Sequence, residues 1–477
     1  MDAEAPFLRG PDAVDAALAG RLLSTALAHG GDLADLFFEF RRTLHLSLEE
    51  GRVRSAGGAV DVGMGARVVC DGAVGYAYAE RLDPRSLVAA ARGAARIARV
   101  RGGKLRRARA VAGPLAGVAG AGVADASGAA YAALLRRADE AARRVSPAIV
   151  RVDASLSVIR REILVVPSDG PARAEIQPLV RVSVAATAER ARRRETGTSA
   201  AGGRRGFDWL SGHVPEDLGE EAGRAALVGL DSRPAPAGSL PVVLAPGDAG
   251  IWLHEAVGHG LEADFVRRGA SVYAGRLGER VAAEKVTIVD DPGLAGAPGS
   301  LTVDDEGAAA GPRALIERGV LRGLLCDRVS AGHFAAPAGA GRRQSFRDAP
   351  LPRMSNTLML AGEDDPEDIV RSVRFGVYAA RFSGGQVNLG GGDFVFAVTE
   401  GYLIEDGRLT APLRGVNLIG NGPAALAAVS MVGGDARLSS SVWTCTKEGQ
   451  NLFVGVGMPT VKIDRLTVGG TTLGRGG

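Results

Sequence analysis

The chain has 477 residues, long enough for two or three domains with their own cores. Its formal charge of +3 is too near neutral to argue for nucleic acid or an anionic membrane, and no apolar run is long enough to span a bilayer. Three cysteines, Cys70, Cys326 and Cys445, exclude a disulfide framework, and Met1–Arg9 lacks a basic-then-apolar leader; both point to a reducing, cytoplasmic setting.

Pro11 to Ala28 reads as a helix, with Leu18, Leu22, Leu23 and Leu27 near helical spacing and Gly30-Gly31 as its stop. Strands are expected at Leu36–Phe40 and over Leu44, Leu46 and Leu48, with a turn at Glu50-Gly51. Asp71-Gly72, between Ala66–Cys70 and Val74–Ala79, is the best hairpin signal in the chain. Asp83 and Pro84 open a helix to Val100, as N-cap and first-turn proline. Residues 101–122, rich in Gly, Ala and Arg, read as a flexible connection. Ala124–Val145 is a second helix; strands follow at Ile149–Val158, Ile163–Val166 and Ala174–Ala186, and Pro215–Leu230 is again helical. Helix, meander, helix thus occurs twice, which suggests an internal duplication.

Asp231 to Gly238 is Pro-rich and reads as a linker at 231–238, dividing residues 1–230 from 239–477. Beyond it, short β-type runs dominate, with helices at the His254 segment, Pro366–Val377 and Pro423–Val432. Most connections are too short for βαβ crossovers. The expected fold class is α+β: an amino-terminal domain of helices on an antiparallel sheet, then a β-rich, antiparallel or mixed carboxy-terminal domain carrying a metal-binding helix.

That helix is the chemical signal. In Ile251-Trp-Leu-His-Glu-Ala-Val-Gly-His-Gly260, two imidazoles flank a carboxylate, the composition of a hydrolytic metal site in which the carboxylate accepts a proton from an activated water. Asp248 is placed to N-cap it, after a buried strand at Pro241–Ala245. The histidines are five apart, however, so on a regular α-helix His254 and His259 point roughly 140° away from each other. If both bind one ion, the helix must end near Gly258 or contain a π-type bulge. A third ligand is needed. Cys445, in a polar stretch where Lys447 favours a thiolate, leads His333 and Glu262; Cys326 reads as a buried structural thiol. Glu255 is placed to act as general base, and Glu262 or Asp264 to orient a ligand imidazole. Asp304-Asp-Glu-Gly307 is either a cation site or, more in keeping with its composition, a β-turn. His29, His45 and His213 stand without acidic or cysteine neighbours at ligand spacing and read as surface or structural residues.

His254-Glu-Ala-Val-Gly-His-Gly-Leu-Glu-Ala-Asp264 closely resembles the signature of the TldD/PmbA metalloprotease family. Further stretches match in order, among them Val303-Asp-Asp-Glu-Gly307, Gly341-Arg-Arg343, Pro352-Arg-Met-Ser-Asn-Thr357 and Thr444-Cys-Thr-Lys-Glu-Gly-Gln450. The resemblance covers the second domain nearly end to end, and the first mainly by length and element order. It implies a zinc peptidase with one Zn²⁺ per catalytic subunit, held by His254, His259 and Cys445, with Glu255 as the base. It also implies a TldE/PmbA-like partner lacking the metal motif, in a heterodimer or with self-association in its place, and substrates that are unstructured proteins or leader peptides. Thr446 departs from the glycine expected after the cysteine. The alternatives are a non-catalytic scaffold, a regulatory binding protein, or hydrolysis of a non-peptide amide.

Overall fold

The computed structural model describes residues 5–8, 13–100, 115–119, 126–470 and 472–473. Of the connection expected over 101–122, only Leu115–Ala119 lies within these, and it is a strand.

The amino-terminal half is built on one seven-stranded sheet. Ala73–Ala79, Arg52–Cys70, Leu33–Glu49, Ile149–Pro167 and Ala172–Arg190 lie side by side, all antiparallel. Arg193–Gly203 and Leu115–Ala119 share the far edge of the last of these. Tight turns set the registers. Glu50-Gly51 and Asp71-Gly72 both have positive φ at each position (50° and 75°, 51° and 75°), the backbone of a two-residue hairpin. Helices Ala16–Ala26 and Pro84–Val100 cover one half of the sheet, and helices Gly128–Val145 and Val214–Asp231 the other. Asp83 caps its helix as expected, accepting from the backbone of Arg85 and Ser86.

Helix, three strands, helix therefore occurs twice. The first strands of the two units pair antiparallel, with Arg41 opposite Arg161, so a local two-fold relates the units. Two strands escaped the sequence pattern, the first half of Arg52–Cys70 and all of Arg193–Gly203, because both are rich in Gly and polar residues. Gly63 is required where it stands: a Cβ there would lie 2.2 Å from the Phe346 ring.

Side-chain alternation gives this sheet two buried faces. Leu36, Phe38, Leu164 and Val166 meet the helices, while Phe37, Ile163 and Val165 meet Phe346 of the carboxy-terminal half. Charged residues join the same seam. Arg67 bridges Asp35 and Glu306, with its guanidinium 2.5 Å from each, and Arg161 bridges Glu39 and Asp305 at 2.8 and 3.3 Å. This settles the acidic cluster. Asp304 accepts from the backbone of Glu306, Ala308 and Gly341, and the neighbouring carboxylates are neutralised by arginines, so the segment is a turn and an interface rather than a cation site.

The carboxy-terminal half is mixed. Pro236–Leu244, Val461–Gly469, Val416–Asn421, Asp393–Glu405 and Phe375–Val387 pair in that order, and the last returns to the first in parallel, closing the ring. A second sheet contains Arg313–Glu317, Ile288–Asp290, Asn356–Met359 and Gln450–Met458. The Pro-rich segment 231–238 does not run free. Arg233–Pro234 pairs with Leu413–Arg414 at one sheet end, and Pro236 begins the ring's first strand, where prolines need give no ladder N–H. Two expected helices are shorter than read, Pro366–Arg371 and Gly422–Ala427, each followed by a strand. No helix among the described residues is long and apolar enough to cross a membrane.

Candidate metal centre

The strand Pro236–Leu244, buried over Val242, Val243 and Leu244, leads into a helix lodged between the two carboxy-terminal sheets. It starts as α-helix at Gly250–Leu253, becomes a π turn over His254–Gly258 and ends as a 3₁₀ turn over His259–Leu261. Asp248 does not cap it: the cap position is Ala249, and Asp248 instead accepts from the Ser439 hydroxyl. The backbone N–H of His259 donates to the carbonyl of His254, a bond spanning five residues. That bond stacks residue five over residue zero and removes the divergence a regular helix would impose. The two imidazoles stand 4.9 Å apart, centroid to centroid, nearly perpendicular. Close packing holds the distortion. The Ala256 carbonyl accepts from the Tyr273 hydroxyl at 3.1 Å, and a Cβ at Gly258 would lie 1.9 Å from the Met354 sulfur.

Cys445 arrives from the strand Trp443–Lys447, which the sequence presents only as a polar stretch. Its hairpin with Gln450–Met458 turns at Glu448-Gly449, with φ of 48° and 78°. Alternation puts Cys445 and Lys447 on the buried face and Thr444 and Thr446 outside, so the Thr446 departure touches no ligand. The ligand atoms of His254, His259 and Cys445 all lie within 4.8 Å of one another, with the thiol 3.3 Å from His259 Nε2. Both ring nitrogens of His254 are buried without a hydrogen-bond partner among the described residues. Unsatisfied buried nitrogens are costly unless a ligand takes one. Two imidazoles and a thiol in this cluster match the donor set and number of a zinc-type site, so the residues fit such an ion. Burial alone would raise the Cys445 thiol, but the adjacent charges of His254 and His259 hold it well below the usual thiol range, which favours the thiolate a metal needs.

A second layer fixes the first. Glu262 accepts from His259 Nδ1 at 3.0 Å, which turns Nε2 toward the thiol. Glu262 is fully buried; burial pushes its carboxyl up, but His259 and Lys447 together bring it down to about 2. Lys447 reaches Glu262 at 3.2 Å and Asp264 at 2.7 Å, so the strand that brings the thiol also brings the cation that steadies the imidazole's partner. Lys447 therefore serves the carboxylates, not the thiol. Arg353, also buried, donates to the carbonyls of Cys445 (2.7 Å) and Gln450 (3.3 Å) and lies 3.8 Å from Glu262. Glu255, in the same π turn, is half-buried and has no hydrogen-bond partner among the described residues. Burial raises its carboxyl pKa against the pull of the two imidazoles.

Of the other candidates, His333 is elsewhere, on the helix Arg328–Phe334 against Phe334. Cys326 is buried and apart from the cluster. Of the two carboxylates able to orient an imidazole, Glu262 does so and Asp264 anchors Lys447 instead.

The carboxy-terminal domain of PmbA/TldA metallopeptidases matches residues 237–470, their domain 1 residues 34–98 and their central domain residues 123–230. A metalloprotease TldD homolog of Haemophilus influenzae is 41% identical over 449 residues, covering 92% of this chain and 93% of that protein. The chain belongs to the TldD/PmbA metallopeptidase family. A zinc metalloprotease TldD homolog of Saccharolobus solfataricus is 36% identical over 236 residues, 49% of this chain and 52% of that one. TldE from Thermococcus kodakarensis shares the fold, with a TM-score of 0.76 at 18% identity over 94% of this chain and 99% of that chain. TldD/PmbA membership carries peptidase activity at the level of the family. The roles of Arg353, Lys447 and Met354 escape single-sequence reading. Pro352–Thr357 stands out as a motif, but nothing in it announces that its arginine clamps a hairpin some ninety positions later.

Proposed function

We propose that this chain is a zinc-dependent peptidase and the catalytic subunit of a pair with a TldE/PmbA-like partner, acting on unfolded or leader peptides. The observation that carries this is the convergence of His254, His259 and Cys445 on one buried point beside an unpartnered carboxylate. His254, His259 and Cys445 would hold the ion. Zinc in such a site polarises a carbonyl and lowers the pKa of a water toward about 7. Glu255 would serve as the general base and acid, taking a proton from the attacking water and returning it to the leaving amine; its raised pKa and its lack of a hydrogen-bond partner among the described residues suit both transfers. Glu262 keeps the His259 proton on Nδ1 through both transfers. The partner assignment is supported by the fold shared with TldE.

Glu255→Gln is the test. The variant is expected to retain zinc and lose cleavage of an unstructured peptide by roughly 100-fold or more, since general acid–base catalysis contributes on that order. Cleavage at the wild-type rate by the zinc-loaded variant would refute the mechanism.

A further inference from the structure

The seam between the two halves holds a concentration of positive charge that the peptidase reading leaves unused. A cavity of about 40 Å³ opens there, lined by Arg41, Arg161, Arg204, Arg342, Gln344 and Asn451. Water needs about 10–15 Å³ by this measure, so the space takes roughly three waters or one compact oxyanion.

The four guanidiniums are not equally committed. Arg161 is engaged by Glu39, Asp305 and Gln177. Arg342 donates only to the carbonyls of Met354 and Phe453, which carry no charge. Neither Arg41 nor Arg204 makes a side-chain hydrogen bond or ion pair with a described residue, and Arg204 Nε is buried without a partner. Glu175, the carboxylate acting most on Arg204, spends its oxygens on Thr302 and Gln177. Burial and the neighbouring Arg342 charge pull Arg204 down to about 9, and burial with Arg353 nearby pulls Arg342 to about 10. Both remain cationic at neutral pH. A partly buried cluster of like charges, with Arg342 buried and Arg41 and Arg204 half-buried, has donors to spare and is complementary to an anion.

We propose that this cavity is a binding site for a small oxyanion, either a phosphate or a carboxylate, held between Arg41 and Arg204 of the amino-terminal half and Arg342 of the carboxy-terminal half. The forked guanidinium suits both ligand types. Because the donors come from opposite sides of the seam, the bound anion ties the two halves together. The ligand also reaches the hairpin of the metal cluster: Asn451 lines the cavity, and Leu452, which also lines it, pairs directly with Cys445.

The experiment uses the full chain, followed by thermal unfolding and isothermal titration with inorganic phosphate and, separately, acetate, at constant ionic strength. The wild type is expected to bind at least one of them saturably, with a matching rise in Tm. A response to phosphate alone assigns a tetrahedral oxyanion, and a response to acetate assigns a carboxylate. Arg204→Gln should bind roughly tenfold more weakly or not at all, the loss expected for a charge-assisted contact. Without anion it should melt at or above the wild-type temperature, because a like charge is gone. Arg408→Gln, on an exposed strand position, should behave as wild type. If Arg204→Gln does not fold, Arg41→Gln takes its place. The proposal is overturned if neither anion binds saturably, if the cavity variant binds as wild type does, or if Arg408→Gln loses the response equally.

Discussion

Replacing Glu262 with Gln isolates the layer behind the metal cluster. The change keeps the shape and removes one charge. In the native site, one carboxylate oxygen serves both His259 Nδ1 at 3.0 Å and Lys447 at 3.2 Å, and Arg353 approaches the other at 3.8 Å. Lys447 holds the amide oxygen in the place of the carboxylate oxygen, but a neutral amide accepts more weakly, so the proton is held on Nδ1 less firmly. A ring that carries its proton on Nε2 instead, the nitrogen facing Cys445, cannot ligate there. Lys447 keeps Asp264 at 2.7 Å, so its charge is not stranded, and the stability cost should stay near 3 kcal/mol. Zinc affinity should fall about 10–100-fold, the usual effect of losing an outer partner of a ligand imidazole. Chelator competition measures the affinity and denaturant unfolding measures the stability. Lys447→Met provides the contrast, because it costs stability but leaves the contact from Glu262 to His259. Should Glu262→Gln fold normally and bind zinc within about twofold of wild type, the orienting role of Glu262 is wrong.

Gly258→Ala drives a Cβ into the Met354 sulfur, 1.9 Å away, and should cost about 1–3 kcal/mol in denaturant unfolding. Adding Met354→Ala should recover part of that loss; no recovery would mean that the π turn itself excludes a side chain. Cys326 gives a pH dependence away from the metal cluster. Burial pushes its thiol from 9.0 up to about 11, so the native state keeps a proton that the unfolded chain releases. Its contribution is intact below pH 9 and declines as pH rises from 9 toward 11, by about 2 kcal/mol in all. Melting curves of the wild type and Cys326→Ala at pH 8 and 10.5 should therefore converge at the higher pH; parallel curves would contradict the burial argument.

What was legible in the sequence divides along the range of the interactions. Local chemistry was read well: Asp71-Gly72 and Glu50-Gly51 both turn with paired positive φ, and Asp83 caps its helix. The five-residue spacing of His254 and His259 was more informative than a familiar motif, because it could work only through a distorted helix, and the distortion is a π turn. The register of Arg52–Gly65 was not legible. It depends on pairing with Leu33–Glu49 and on the close approach of Phe346, not on any pattern of its own.

Buried charge is where sequence reading fails for a physical reason. Composition treats Arg, Lys, Asp and Glu as surface residues, yet Arg67, Arg343, Arg353, Lys447, Asp35, Glu262 and Glu306 all lie inside. Each is tolerated only because its counter-charge or carbonyl arrives from a distant part of the chain. The same reasoning separates Asp304–Gly307 from the histidine segment. Both concentrate ligand-type residues, but the carboxylates of the first already meet arginines and backbone amides, whereas neither ring nitrogen of His254 has a hydrogen-bond partner among the described residues. Among the buried polar groups left without a hydrogen bond in the described residues, His254 stands out because both its ring nitrogens are unsatisfied beside two other ligand-type side chains, and Arg204 because its unsatisfied nitrogen belongs to a cavity-lining cation; these are the places where a ligand has the most to contribute.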